Sequence, residues 1–206
     1  MTSTLPAPRH TAAPATAAGP RRWYAVMGAG GALGMVTAAW QTVERIAWAS
    51  DPSAPSVCEI NAVLSCSSVY SHWQSAALGI PNSLIALPVF AIIAATGLAG
   101  VLGSSLTSRF VALVFALTVI MTAFVTWYLE QSALAIGVLC LFCIGCAATI
   151  LLAGVGITRV ADGLGALGSG RLGRGVGAMV ATGADLVAWA GLALLLTVML
   201  TLGLLL

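Results

Sequence analysis

Residues 138–158 read VLCLFCIGCAATILLAGVGIT, an uncharged stretch that opens with three closely spaced cysteines. A helix that crosses roughly 30 Å of hydrocarbon at about 1.5 Å per residue needs about 20 residues. The stretch is therefore long enough to span a membrane. Cys140, Cys143 and Cys146 are expected near one face of that membrane, where the helix begins.

Four more uncharged apolar segments accompany this one, at residues 24–43, 84–103, 110–129 and 186–206. The chain of 206 residues is 60% apolar and only 7% charged, and its mean hydropathy is +1.04. Soluble domains carry roughly 25% charged residues. The sequence therefore predicts an all-α integral membrane protein, with a four-helix bundle followed by a fifth, C-terminal transmembrane helix.

The composition along the chain predicts the domain organisation. We interpret residues 1–20, rich in Ala, Thr and Pro, as a disordered cytoplasmic tail. Residues 21–160 are predicted to form the four-helix domain, and the glycine-rich residues 161–185 a cytoplasmic linker before the helix at 186–206. The first apolar run is longer than the core of a typical secretion signal, so we favour a retained helix over a cleaved one.

The arginines predict the orientation, because positive residues concentrate on the cytoplasmic side of membrane proteins. All eight basic residues are Arg. Arg45 alone falls on the opposite side from the other seven, which are Arg9, Arg21, Arg22, Arg109, Arg159, Arg171 and Arg174. We expect a multi-pass protein of the cell membrane with a cytoplasmic N-terminus and an extracytoplasmic loop at 49–83. Topology explains the positive charge, so nucleic acid is not an expected partner.

The external loop carries the remaining two cysteines, Cys58 and Cys66, eight residues apart. They can form a disulfide if the backbone turns back at residues 61–64. From Ser67 to Ala77 the apolar residues recur at spacings of three and four, which predicts a short amphipathic helix on the membrane surface. From these residues alone, the loop disulfide can be structural or redox-active.

The helix cysteines also allow more than one interpretation. Cys140 and Cys143 lie on adjacent turns at a helix start, where the positive end of the helix favours thiolate. Cys143 and Cys146 have the same spacing, and all three can also serve as small packing residues. A three-cysteine metal motif would need a fourth ligand, but Ile150 stands at the position that an iron–sulfur motif requires. We expect no metal.

Taken in order, these motifs resemble those of bacterial vitamin K epoxide reductase homologues. The resemblance covers residues 24–158. Its residues are Cys58, Cys66-Ser67-Ser68, Trp73, Gly79-Ile80-Pro81-Asn82 and Ile136-Gly137-Val138-Leu139-Cys140-Leu141-Phe142-Cys143. The resemblance favours Cys140 and Cys143 as the active pair. Two positions depart from some relatives, since Leu141 and Ala147 stand where those have Pro and Tyr.

The resemblance also implies roles for individual residues. It implies that Cys58 exchanges with a partner protein, that Cys66 passes the exchange to Cys140, and that Cys143 faces a quinone. Asn82 matches a quinone-binding residue of the family. Ser71 is a weaker match to a second polar position of the quinone site.

The implied function is disulfide formation by a quinone-dependent thiol–disulfide oxidoreductase. It would reoxidise an extracytoplasmic thioredoxin-like protein and pass two electrons to a membrane quinone, either menaquinone or ubiquinone. Two alternatives remain open: a quinone or quinone-epoxide reductase used for quinone recycling, and a non-catalytic membrane protein with a structural disulfide. A four-helix quinone oxidase of the other known type is excluded, because its two cysteine motifs occur in the reverse order.

Overall fold

A computed structural model describes residues 21–53 and 56–203, and within them the chain is a bundle of helices. The predicted tail at residues 1–20 lies outside the described residues. The α-helices are α1 (Arg21–Ser50), α2 (Cys66–Tyr70), α3 (Asn82–Val101), α4 (Ser108–Glu130), α5 (Leu141–Gly163), α6 (Arg171–Thr182) and α7 (Ala184–Gly203). A 3₁₀ turn, Trp73–Ala76, precedes α3, and a π-helical turn, Gln131–Ile136, extends α4.

The helical membrane fold predicted from the sequence is confirmed. Four of the described helices are long and apolar enough to cross a membrane: α3, α4 with its π-helical extension, α5 and α7. The 30-residue helix α1 is not among them, because its glycines and polar residues lower its hydropathy. The expectation that α1 also spans the membrane stays a prediction.

Helix α1 packs against both α3 and α5. Small residues allow this close approach, as is common where helices meet in membranes. A methyl group added to Gly30 would lie 2.6 Å from the backbone nitrogen of Ala153 in α5. A methyl group added to Gly31 would likewise clash with the backbone of Ala94 in α3. The low hydropathy of α1 is therefore a consequence of its packing role.

The segment predicted as a linker, residues 161–185, is largely helical. Helix α5 continues to Gly163, and α6 occupies Arg171–Thr182. Three glycines with positive φ, Gly165, Gly168 and Gly183, bound the short helix α6. Only glycine adopts this backbone conformation readily, so these residues make the turns on either side of α6. The glycine content indicates turns between helices here.

The last helix, α7, is joined to α5 by a buried ion pair. Arg159 donates two hydrogen bonds to Asp185, at 2.7 and 2.8 Å, and the Asp185 side chain is 1% exposed. The Arg159 guanidinium also lies 4.5 Å from the centre of the Trp23 ring in α1. Trp189 of α7 donates to the hydroxyl of Thr158 at 3.2 Å. These polar contacts fix one end of α7 against the bundle.

Replacing Asp185 with Leu is expected to destabilise the protein by about 3 kcal/mol, because it leaves the Arg159 charge partly buried without its partner. The double variant Arg159→Leu/Asp185→Leu should recover much of that loss, since removing both charges avoids the desolvation penalty. The free energy of unfolding, measured on the detergent-solubilised chain, tests the expected stability of both variants. Arg171→Leu, at an exposed position, is the control. Equal stability of Asp185→Leu and the unmodified chain would contradict this role.

Candidate functional site

A short main-chain bridge joins the cysteine loop to the segment that precedes α5. Leu64 and Leu139 form an isolated parallel β-bridge. The Leu139 N–H donates to the Val63 carbonyl at 2.8 Å, and the Ser65 N–H donates to the Leu139 carbonyl at 3.0 Å. Cys66 and Cys140 each follow the bridge by one or two residues. The bridge therefore sets the distance between the two cysteine pairs.

Local hydrogen bonds shape the loop that carries the bridge. The side-chain oxygen of Asn61 accepts from the N–H groups of Val63 and Leu64, both at 2.9 Å, and so forms the turn expected at residues 61–64. The Ser65 hydroxyl caps α2 by accepting from the Ser68 N–H at 3.2 Å. This is the usual role of serine before a helix. Cys66 is then the first residue of α2.

Glu59 gives the start of α2 a second hydrogen-bond acceptor. Its carboxylate accepts from the Ser67 N–H at 2.8 Å. Burial raises the pKa of Glu59, but the hydrogen bonds from Ser67, Ser65 and the Cys66 N–H outweigh it, so the pKa lies below its usual value. Glu59 is therefore charged at neutral pH and favourably placed at a helix N-terminus.

The loop cysteines are paired, and the pair touches the helix cysteines. Cys58 and Cys66 form a disulfide with their Cα atoms 5.5 Å apart. The Cys66 and Cys140 sulfur atoms lie 3.0 Å apart. The sulfur atoms of Cys58, Cys66 and Cys140 all lie within 4.8 Å of one another. Cys140, Cys143 and Cys146 are free thiols. Only a few ångströms separate the outer disulfide from the inner thiols, which is the proximity that thiol–disulfide exchange requires.

Cys140 lies directly before α5, which begins at Leu141 rather than at Cys140. Burial raises the pKa of the Cys140 thiol. Hydrogen bonds from the Cys143 thiol and from the N–H groups of Cys143 and Phe142 outweigh this effect, so the pKa of Cys140 lies below its usual value. A thiolate at this position is stabilised by the positive end of the helix.

A glutamine from α1 contacts both inner sulfur atoms. The Gln41 side-chain nitrogen lies 3.3 Å from the Cys143 sulfur and 3.8 Å from the Cys140 sulfur, and it donates to both. Gln41 is 7% exposed. Since a buried amide donor next to sulfur stabilises the thiolate more than the thiol, Gln41 favours the reduced, anionic form of the pair.

A small cavity lies beside Cys143. Its volume is about 30 Å³, and its lining residues are Gln41, Asn82, Ser83, Ala86, Met121, Phe124, Val125, Tyr128, Cys143 and Cys146. Asn82, the first residue of α3, donates to the Gln74 carbonyl at 2.7 Å and accepts from the Ala77 N–H at 3.3 Å. These bonds fix the amide plane of Asn82 at the edge of the cavity.

Ser71, the weaker binding candidate, lies elsewhere. It is exposed, and its hydroxyl donates to the Ser68 carbonyl at 2.7 Å. It does not line the cavity beside Cys143. The structure therefore brings together Cys58, Cys66, Cys140, Cys143 and Asn82, and leaves Ser71 outside this group.

The structure differs from the expected surface helix, and it buries the two cysteines of the external loop. The helix is split at Ser71 and His72 into α2 and the 3₁₀ turn. The Ser75 hydroxyl stabilises this break by donating to the carbonyls of Tyr70 and His72. Cys58 and Cys66 are both fully buried, since the loop folds onto the bundle end through the bridge at Leu139. The loop must open locally before Cys58 meets another protein.

A disulfide in contact with a second thiol pair, at one end of a bundle of membrane-spanning helices, is the arrangement that thiol–disulfide exchange in a membrane protein requires. The sequence profile of the vitamin K epoxide reductase family matches residues 25–157, which is more than half of the chain. The chain belongs to the vitamin K epoxide reductase family, as its motifs predicted. The family implies membrane thiol–disulfide chemistry linked to a quinone. The search of curated proteins found no match.

The sequence analysis missed three polar residues of this end of the bundle: Gln41, Arg45 and Tyr128. Gln41 and Tyr128 lie inside apolar segments and line the cavity with Cys143. A polar side chain within a membrane helix is costly, and it commonly marks a functional site. That was the available signal for Gln41. Arg45 was marked only as the exception in the charge distribution.

Gln41→Leu is expected to lower the reduction potential of the Cys140–Cys143 pair by about 30–60 mV, because the reduced form loses a hydrogen bond to its thiolate. Thiol labelling after equilibration in redox buffers measures the potential. Thr42→Val is the matched control, since the Thr42 hydroxyl bonds only to its own helix at the Ala38 carbonyl. An unchanged or higher potential in Gln41→Leu would rule out this role.

Proposed function

We propose that the chain is a quinone-dependent thiol–disulfide oxidase that reoxidises a thioredoxin-like protein outside the cell membrane. The 3.0 Å contact between the Cys66 and Cys140 sulfur atoms is the observation that carries the proposal. A purely structural loop disulfide has no need of a second thiol pair in contact with it. The charge distribution of the arginines supports an extracytoplasmic position for this end of the bundle.

The exchange follows from the order of the sulfur atoms. A partner thiolate attacks Cys58, which breaks the Cys58–Cys66 bond and releases Cys66 as a thiolate. The partner's second thiol then displaces Cys58 and leaves the partner oxidised. In the next step the inner pair must itself be oxidised, as it is after an earlier reduction of quinone. Cys66 attacks Cys140 of the Cys140–Cys143 disulfide and frees Cys143 as a thiolate. Cys58 then attacks Cys66 and frees Cys140. The outer disulfide is restored and two electrons reside on Cys140 and Cys143.

The inner pair then needs an electron acceptor, and the residues beside Cys143 suit a quinone. Quinone rings are flat and apolar with two carbonyl acceptors. The cavity offers apolar walls from Ala86, Met121 and Val125, with polar groups from Asn82 and Tyr128 at its edge. A bound quinone would accept two electrons and two protons there and leave as the quinol. Hydrogen-bond donors at this position stabilise the charge that develops on the quinone oxygens.

The space for the ring must open towards the lipid. Pockets for molecules of this size usually measure roughly 300–1,000 Å³, against about 30 Å³ for the cavity beside Cys143. A second, wholly apolar cavity of about 140 Å³ lies between α3 and α4, and it shares Met121 and Phe124 with the first. We infer that these two side chains move aside and join the cavities when the quinone arrives from the bilayer.

Cys66→Ser is expected to accumulate a mixed disulfide between Cys58 and the oxidised extracytoplasmic partner. The Cys58 thiolate attacks the partner's disulfide and releases the partner's second thiolate, and no Cys66 is present to displace the partner from Cys58. Non-reducing gels and mass spectrometry of the purified membrane protein measure the adduct. Cys146→Ser should trap no adduct, since Cys146 is buried and lies on the far side of Cys143. Cys66→Ser without an adduct to any exported protein that carries a redox-active disulfide would contradict the proposed exchange at Cys58.

Ile120→Trp is expected to raise the KM for quinone several-fold while leaving exchange between the two cysteine pairs unchanged. Ile120 is exposed at the mouth of the 140 Å³ cavity, so a larger side chain obstructs it without disturbing the core. Quinol formation in proteoliposomes measures the effect. Val119→Trp is the matched control, because the neighbouring exposed residue borders the groove towards α7 instead. If the KM for quinone rises only in Val119→Trp, quinone enters through the groove towards α7, and the proposed entry between α3 and α4 is wrong.

A further inference from the structure

Three buried polar atoms lie without a protein partner beside the candidate quinone site. They are the Nη1 atom of Arg45, the hydroxyl oxygen of Tyr70 and the hydroxyl oxygen of Ser83, none of which has a hydrogen-bond partner among residues 21–53 and 56–203. Tyr70 is 4% exposed and Ser83 is 3% exposed. Leaving a buried polar group unpaired costs roughly 1–3 kcal/mol, so three at one place require an explanation.

These three residues surround one small cavity. Its volume is about 10 Å³, and its lining residues are Gln41, Arg45, Tyr70, Ser75, Pro81, Asn82, Ser83 and Tyr128. A cavity needs about 10–15 Å³ of such volume to hold one water, together with two to four polar partners. The unpartnered atoms of Arg45, Tyr70 and Ser83 supply those partners. The cavity therefore has the size and the chemistry of a site for a single water molecule.

The small cavity connects the loop with the site beside Cys143. It shares Gln41, Asn82, Ser83 and Tyr128 with the 30 Å³ cavity that Cys143 lines. Its remaining walls come from the loop and from the end of α1, where Arg45 lies over the rings of Trp48 and Tyr70 at 4.6 and 5.3 Å. It thus lies between the aqueous end of the bundle and the reacting sulfur.

The proton balance of the proposed quinone reduction, on which this inference rests, calls for a proton source near the small cavity. With Cys140 as a thiolate and Cys143 as a thiol, formation of their disulfide releases two electrons and one proton. Conversion of quinone to quinol takes up two electrons and two protons. The second proton must come from water outside the membrane, because the surrounding helix walls are apolar.

We propose that Arg45, Tyr70 and Ser83 bind a water molecule that delivers this second proton to the quinone site. The Ser83 and Tyr70 hydroxyls can each accept and donate a hydrogen bond, so they can pass a proton along the chain of contacts. Arg45 only donates, so it fixes the orientation of the water. This role would also explain why Arg45 lies at the predicted extracytoplasmic end of α1, whereas the other seven arginines lie on the predicted cytoplasmic side.

The first test needs no quinone. A high-resolution crystal structure of the full chain is expected to show an ordered water within hydrogen-bond distance of Arg45 Nη1, Tyr70 Oη and Ser83 Oγ. The same site in Ser83→Ala should show weaker density or none. A structure that resolves other buried waters but shows none here, or that pairs these three atoms with one another, would overturn the proposal.

The second test measures turnover with a dithiol-reduced thioredoxin and a soluble quinone analogue. Ser83→Ala and Tyr70→Phe are each expected to slow quinol formation at least ~10-fold, with a larger slowing in D₂O than the unmodified chain shows. Exchange between the cysteine pairs, followed by thiol labelling in a single turnover, should be unchanged. Ser83→Thr retains the hydroxyl and should restore most of the rate. Unfolding temperatures verify that each variant is folded.

The control is Thr118→Val, which removes a buried hydroxyl that bonds to its own helix at the Val114 carbonyl. Its rate of quinol formation should match that of the unmodified chain. Full quinol formation by both Ser83→Ala and Tyr70→Phe would overturn the relay and leave the proposed oxidase intact. An unmodified chain that exchanges thiols yet forms no quinol would instead overturn the proposed acceptor, and the relay with it.

Discussion

The bridge between Leu64 and Leu139 is the constraint on which the rest of the site depends. Two backbone hydrogen bonds hold an irregular loop against the three residues that precede α5. Without them, two segments more than 70 residues apart in sequence would have no reason to place Cys66 beside Cys140. Because the bonds involve only the main chain, the bridge tolerates changes in its side chains, while the sulfur positions stay fixed.

The residues around the bridge also help to hold its two segments in place. Gly137 takes a left-handed conformation with φ of 76°, which ends the π-helical turn and redirects the chain into the extended residues before Cys140. The Ser132 hydroxyl donates to the Val138 carbonyl at 2.6 Å and holds this connection. On the other side, Asn61 and Ser65 shape the loop. Local polar contacts on both strands of the bridge thus stabilise a long-range contact.

The site combines two environments that the chemistry needs. Cys140 lies at a helix N-terminus, where charge on sulfur is favourable. Cys143 lies one turn deeper, beside an apolar cavity and a single amide from Gln41. In the proposed oxidase, electrons pass from a polar helix end to the edge of the lipid phase over the length of one helical turn. The close packing of α1 on α5 at Gly30 supports this arrangement, since α1 carries the Gln41 side chain that reaches both sulfur atoms.

Much of this arrangement was predictable from the sequence, and the remainder depended on long-range contacts. Apolar length gave four of the membrane helices, and the order of Cys58, Cys66, Cys140 and Cys143 gave the family. The burial of Cys58 could not be predicted, because it depends on how the loop folds onto Leu139. Within the predicted linker at residues 161–185, the sequence allowed a weak helix but not the full extent of α6, since its glycines lower helix propensity. Gln41 was overlooked because its partners lie about 100 residues away.

The most direct test of the account is the disulfide that forms in the double variant Cys58→Ser/Cys143→Ser. With both natural mates removed, Cys66 and Cys140 should join on mild oxidation, and mass spectrometry of the digested protein should find the Cys66–Cys140 peptide pair as the main product. A protein that leaves these two thiols free, or that joins Cys140 to Cys146 instead, would contradict the claim that the bridge holds the two pairs in exchange contact.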